Sequence, residues 1–90
     1  MDMENKVRQI RELVEAKREK FARVSDEVWA VPELYFHETK SAAILIKALK
    51  EEGFEVQEGV DGIPTAFIGT WGSGKPVIGI LGEFDALPSL

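Results

Sequence analysis

The five residues Val77-Ile78-Gly79-Ile80-Leu81 constrain the fold more than any other stretch of this chain. They are apolar without alternation. A strand with one wet face alternates apolar and polar side chains; a continuous apolar run belongs to a strand covered on both faces. Covering both faces takes a layer of protein on each side. With two helices expected elsewhere, 90 residues do not readily supply both layers, so more protein is expected around this strand. The run leads into Gly82-Glu83-Phe84-Asp85-Ala86-Leu87-Pro88-Ser89-Leu90, which places two carboxylates one residue apart and then a proline that ends the strand.

Upstream, apolar residues at Val7, Ile10, Val14, Phe21, Val24 and Val28 recur with 3-then-4 spacing, broken at Lys17. This predicts one long helix, roughly Glu4 to Ala30, packed on the domain by a single stripe; a coiled-coil dimer is the alternative. Val31-Pro32 ends it, because the residue before a proline is pushed out of helical geometry. Pro32-Glu33-Leu34-Tyr35-Phe36-His37 is an irregular connector. A second helix follows, capped by Thr39 or Ser41 and running to about Glu52. Its apolar surface is wide, which predicts deeper burial than the first. Gly53 suits a left-handed stop, with Phe54 making the accompanying apolar contact.

Three strands are then expected. Phe54-Glu55-Val56-Gln57-Glu58 alternates and is half exposed. Asp61-Gly62-Ile63-Pro64 is a turn, and Thr65 to Trp71 is the second strand. Gly72-Ser73-Gly74-Lys75-Pro76 has hairpin length, which makes the second strand antiparallel to the third, Val77 to Leu81. The expected class is α/β: two N-terminal helices, then three strands, including a hairpin, of a mixed sheet. There is no internal repeat.

A net charge of -5 argues against nucleic-acid or acidic-membrane binding, which needs a basic surface. The chain has no cysteine, hence no disulfide framework and no thiolate metal site. Met1 to Lys6 is charged and unlike a signal peptide, and no apolar run approaches the ~20 residues of a membrane span. A soluble, cytoplasmic chain is the expectation.

Glu83 and Asp85 stand first among candidate site residues. In a strand, residues i and i+2 share a face. Two such carboxylates can hold a divalent metal, orient a metal-bound histidine or share a proton; solvated loop charges are the plainer alternative. Gly72-Ser73-Gly74-Lys75 lacks the Ser or Thr and the helix that a phosphate loop needs, so it is a turn. His37 is the sole histidine and cannot close a zinc site alone. Trp29, Tyr35, Phe36 and Trp71 are expected in the core rather than in a pocket. No nucleophile–base–acid set is present.

Read in order, the segments Val31-Pro32-Glu33-Leu34-Tyr35-Phe36-His37-Glu38, Gly53-Phe54-Glu55-Val56, Gly62-Ile63-Pro64-Thr65-Ala66-Phe67 and Gly74 to Pro88 carry a resemblance. Together they resemble bacterial zinc-dependent amidohydrolases of the aminoacylase/carboxypeptidase type, over roughly residues 7 to 90. The resemblance implies the N-terminal part of a zinc-exopeptidase-like catalytic domain, an α/β sheet flanked by helices. In the full enzyme two divalent metal ions, zinc or manganese, sit at the strand ends. A bridging water cleaves the amide bond of an N-acyl amino acid, aminobenzoyl-glutamate-like, or of a dipeptide. Asp85 matches the aspartate that orients a metal ligand. Glu83 falls where many members carry a metal-binding histidine; in the amidohydrolase branch an acidic residue stands there and ligation shifts further along.

The resemblance further implies that residues 1–90 are one partial catalytic domain, with the remaining ligands, the catalytic glutamate and a dimerisation domain beyond it. No metal and no activity are then expected of this chain by itself. The rival is a non-catalytic truncated or split-protein domain that acts through a partner surface, either the remainder of the enzyme or a second copy.

Overall fold

The computed structural model describes residues 2–88; Met1, Ser89 and Leu90, the last two belonging to the acidic C-terminal segment, lie outside the described residues. Asp2 opens the first helix, its carboxylate accepting the Asn5 N–H at 2.8 Å as an N-cap does. The apolar spacing then keeps the chain helical, but in two helices rather than the single one expected. α1 spans Met3–Ala16 and α2 spans Arg18–Trp29. The break falls at Lys17, the polar residue in the stripe. Its N–H bonds to the Val14 carbonyl at 3.1 Å, a tighter turn than the α-helix makes. Its ammonium turns instead to Glu52, 2.9 Å away. α2 stops at Trp29, ahead of Pro32.

α3 spans Thr39–Glu51 and is the more deeply buried helix: Ser41, Ala42 and Ala48 are buried in it, and no residue of α1 or α2 is. Its C-terminus is a Schellman stop. Gly53 sits at φ 91, its N–H bonding to the Lys50 carbonyl at 3.1 Å and the Phe54 N–H to the Leu49 carbonyl at 3.0 Å. The stop turns the chain into β1, Glu55–Glu58, which pairs antiparallel with β2, Phe67–Thr70. The register sets Glu55 opposite Thr70 and Glu58 opposite Phe67. Gly59, at φ 65, starts a short 3-10 turn over Val60–Gly62 in the connection between them.

α3 lies on this hairpin. A Cβ added at Gly69 would meet Leu49 Cδ1 at 3.0 Å and Phe54 Cδ2 at 3.5 Å, so the missing side chain is what lets helix and sheet approach. α2 covers the other side of α3, with Val24 and Val28 half-buried. Three ion pairs fasten it there: Lys20 to Glu52 at 2.6 Å and to Glu51 at 3.4 Å, and Lys17 to Glu52 at 2.9 Å.

The expected class is therefore corrected. Three helices precede a two-stranded antiparallel sheet, and the hairpin joins the first and second strands, not the second and third. Val77 to Leu81 has no ladder partner among the described residues and is not a strand. Its side chains have nothing to cover them: Val77, Ile78, Ile80 and Leu81 are 82% to 95% exposed. The apolar stripe of α1 is uncovered too, with Val7, Ile10, Leu13 and Val14 exposed. So are Trp29, Tyr35, Phe36 and Trp71, the aromatics expected in the core. The accessible surface is 7894 Å². A compact monomer of this mass shows about 5,200 Å². The radius of gyration, 15.5 Å, likewise exceeds the ~12 Å of a compact chain of this length. Among the described residues no helix is long and apolar enough to cross a membrane.

Gly53→Ala forces a Cβ into the left-handed stop of α3 and is expected to cost about 1–2 kcal/mol. Gly79→Ala, at a position with no heavy atom within 4 Å of the added Cβ, is expected to change stability by less than about 0.5 kcal/mol. Urea unfolding of the two variants checks the pair.

Candidate functional site

The acidic segment keeps the alternation of a strand without being in one. Glu83 and Asp85 are exposed, whereas Phe84 and Ala86 are half-buried. Two contacts hold it. The Phe84 ring lies on Phe67 of β2 with centroids 5.6 Å apart and planes at 46°. The Ala86 N–H donates to the Glu33 carbonyl at 2.7 Å. The two carboxylates are exposed to solvent.

Glu33 belongs to the connector between α2 and α3, and its side chain does what Thr39 and Ser41 were expected to do. The carboxylate accepts the Ser41 N–H at 2.7 Å and the Lys40 N–H at 3.1 Å, two of the otherwise unpaired donors in the first turn of α3. Ser41 is instead inside the helix, 1% exposed, with its Oγ 3.4 Å from the Val31 carbonyl. The Ser41 N–H above all, with lesser help from its side chain and from Lys40, holds the Glu33 carboxyl below its ordinary pKa against a desolvation cost. No sequence rule points to this cap. A capping box joins positions three apart, and Glu33 lies eight residues before Ser41. The next acidic residue, Glu38, reaches the buried Thr65, whose Oγ1 is 3.4 Å from its Oε1.

Between them the connector makes a strained turn. The His37 N–H bonds to the Leu34 carbonyl at 2.9 Å, and Phe36 sits at φ 60, a region bulky side chains avoid. The Tyr35 and Phe36 rings stand edge-to-face at 6.1 Å. His37 is exposed. Among the described residues no three His, Cys, Asp or Glu side chains come together as a metal site. Glu83 and Asp85 are both exposed, and among the described residues the donors that a metal pair needs do not come together.

The chain is similar to one of the subunits of the p-aminobenzoyl-glutamate hydrolase of Escherichia coli (strain K12), with 44% identity over 88 residues, 98% of this chain and 18% of that protein. It is also similar to thermostable carboxypeptidase 1 of Saccharolobus solfataricus, 32% identical over 88 residues, 96% of this chain and 20% of that protein. Thermostable carboxypeptidase 2 of the same organism matches at 37% over 59 residues, 63% of this chain and 15% of that protein. No family profile matches the chain. The homology supports assignment to the family of these amidohydrolases and carboxypeptidases. The chain spans about a fifth or less of the length of these relatives.

The two lowered carboxyls set an acid limit on stability. Glu52 is held down first by its hydrogen bond from Lys20 and then by Lys17, and Lys20 is raised in return. A carboxyl lowered in the folded state contributes fully above its ordinary value of 4.5 and loses that contribution as pH falls through the folded value. Lys20 has the opposite sign: its contribution is present below 10.5 and lost as pH rises through its raised value. Urea midpoints measured from about pH 7 to about pH 3 are expected to fall at the acid end. They should fall less in the Glu33→Gln, Glu52→Gln double variant than in the wild type.

Proposed function

We propose that this chain is part of the catalytic domain of a metal-dependent amidohydrolase that cleaves the amide bond of N-acyl amino acids, aminobenzoyl-glutamate-like, or of dipeptides. The observation that carries the proposal is the homology across nearly all of the chain to a hydrolase named for p-aminobenzoyl-glutamate. The exposed pair Glu83 and Asp85, at the end of the acidic segment, agrees with it. In this proposal Asp85 accepts a hydrogen bond from an imidazole N–H contributed by another part of the enzyme. It thereby selects the tautomer that can ligate a metal. Glu83 is its neighbour on the same face and not a ligand in its own right. Two divalent ions, zinc or manganese, belong to the complete site. Among the described residues no group of three His, Cys, Asp or Glu side chains comes together, so in this proposal the ligands come largely from other parts of the enzyme. The cytoplasm is the proposed location, consistent with the acidic, cysteine-free composition.

The large exposed surface supports the partial-domain part of the proposal. The excess over a compact monomer is of the order of an obligate interface. The same surface favours a second reading, in which the chain is a non-catalytic domain of a split protein that pairs through Val77 to Leu81 and α1. Light scattering on the purified chain separates out this pairing: a cooperative, strictly monomeric species would count against it.

For the catalytic proposal, the matching 88-residue stretch of the Escherichia coli hydrolase is replaced by this chain. The hybrid is expected to hydrolyse p-aminobenzoyl-glutamate, and Asp85→Asn in it to lower kcat/KM by about 10–100-fold. A hybrid with a native thermal transition and no activity would overturn the assignment.

A further inference from the structure

Glu33 is bonded in two directions. Its carboxylate takes the Ser41 and Lys40 N–H groups at 2.7 and 3.1 Å, which ties it to the first turn of α3. Its carbonyl accepts the Ala86 N–H at 2.7 Å, which ties it to the residue after Asp85. Among the described residues the segment around Asp85 has no ladder to hold it; this hydrogen bond and the Phe84 ring on Phe67 tie it to the rest of the fold. The residue next to Asp85 is thus docked on the carbonyl of a residue whose carboxylate is itself bonded to α3. Phe36 fits this. A bulky residue at φ 60 persists only where its surroundings over-determine the backbone, and the Glu33 cap lies three residues before it in the same connector.

We infer that Glu33 is a positioning residue for Asp85: its carboxylate, locked on the N-terminus of α3, holds the carbonyl onto which the Ala86 N–H docks. The inference rests on the role proposed for Asp85, but the tether itself is measurable without activity. Amide hydrogen exchange is followed in the 90-residue chain as wild type, Glu33→Gln and Glu33→Ala. Glu33→Ala is expected to speed exchange at Ala86 by about fivefold or more, with Lys40 and Ser41. The paired amides of β1 and β2 should change by less than about twofold. Glu33→Gln keeps one acceptor oxygen and is expected to fall between. An unchanged Ala86, or a uniform rise at every protected amide, would overturn the tether.

In the hybrid enzyme, Glu33→Ala is expected to lower kcat by about tenfold with KM within about twofold, and Glu33→Gln to restore most of the loss. Glu52→Ala, which removes the Lys17 and Lys20 pairs to Glu52 far from this segment in sequence, is expected to lower stability and leave kcat in place. An equal loss of kcat in Glu52→Ala would reduce Glu33 to a stability residue and overturn the inference. A normal kcat in Asp85→Asn together with a selective change at Ala86 would support the tether while sinking the catalytic role of Asp85.

Discussion

The approach of Leu49 and Phe54 to the bare backbone of Gly69 governs how this chain is assembled. It lets α3 lie on the hairpin, and α3 is the element that the rest of the packed structure touches. The Schellman stop at Gly53 makes the approach possible by turning the chain sharply enough for β1 to run back beside the helix it has just left. α2 packs against α3 in turn, so hairpin, α3 and α2 form a thin stack with little fully buried apolar surface. Ala42 and Ala48 are its buried apolar residues among those described.

Polar interactions secure both ends of α3. At the N-terminus an anionic carboxylate, Glu33, meets free N–H groups and the positive end of the helix dipole. The C-terminus carries Glu51 and Glu52, the wrong sign for the dipole there. Lys17 and Lys20 of the α1–α2 region supply the compensating charge. This accounts for a polar residue standing inside an otherwise apolar stripe. Lys17 does not interrupt a packed face; it serves the far end of the neighbouring helix. The same cap at the N-terminus carries the acidic segment, because the Glu33 carbonyl receives Ala86.

The uncovered surfaces are as informative as the covered ones. Val77 to Leu81 and the stripe of α1 are patterned for burial, yet both stand in solvent. A pattern of this kind states that a face is to be covered without stating by what. Within residues 2–88 nothing remains to cover them once α2, α3 and the hairpin have used one another. The chain spans about a fifth or less of the length of its relatives, and uncovered faces of this kind agree with the partial-domain proposal.

Local rules were sufficient for the elements whose causes are local. The stop at Gly53 with its Phe54 partner, the end of α2 before Pro32 and the alternation in β1 are legible from residue type and spacing alone, because each depends on neighbours in the chain. The exposure of Glu83 and Asp85 beside a half-buried Phe84 follows from residue type in the same way. Three features were decided only in the tertiary structure. The break at Lys17 depends on Glu52, and the cap of α3 depends on Glu33 rather than on the nearer Thr39 or Ser41. The failure of Val77 to Leu81 to form a strand depends on the absence of a neighbouring strand within the described residues. The first two are pairings between residues distant in the chain, and the third is the lack of one. The sequence alone determined which faces are apolar and where α2 and α3 end; only the fold decided which of those faces find a partner, because hydrogen-bond ladders, caps and ion pairs need a second group that spacing along the chain does not locate.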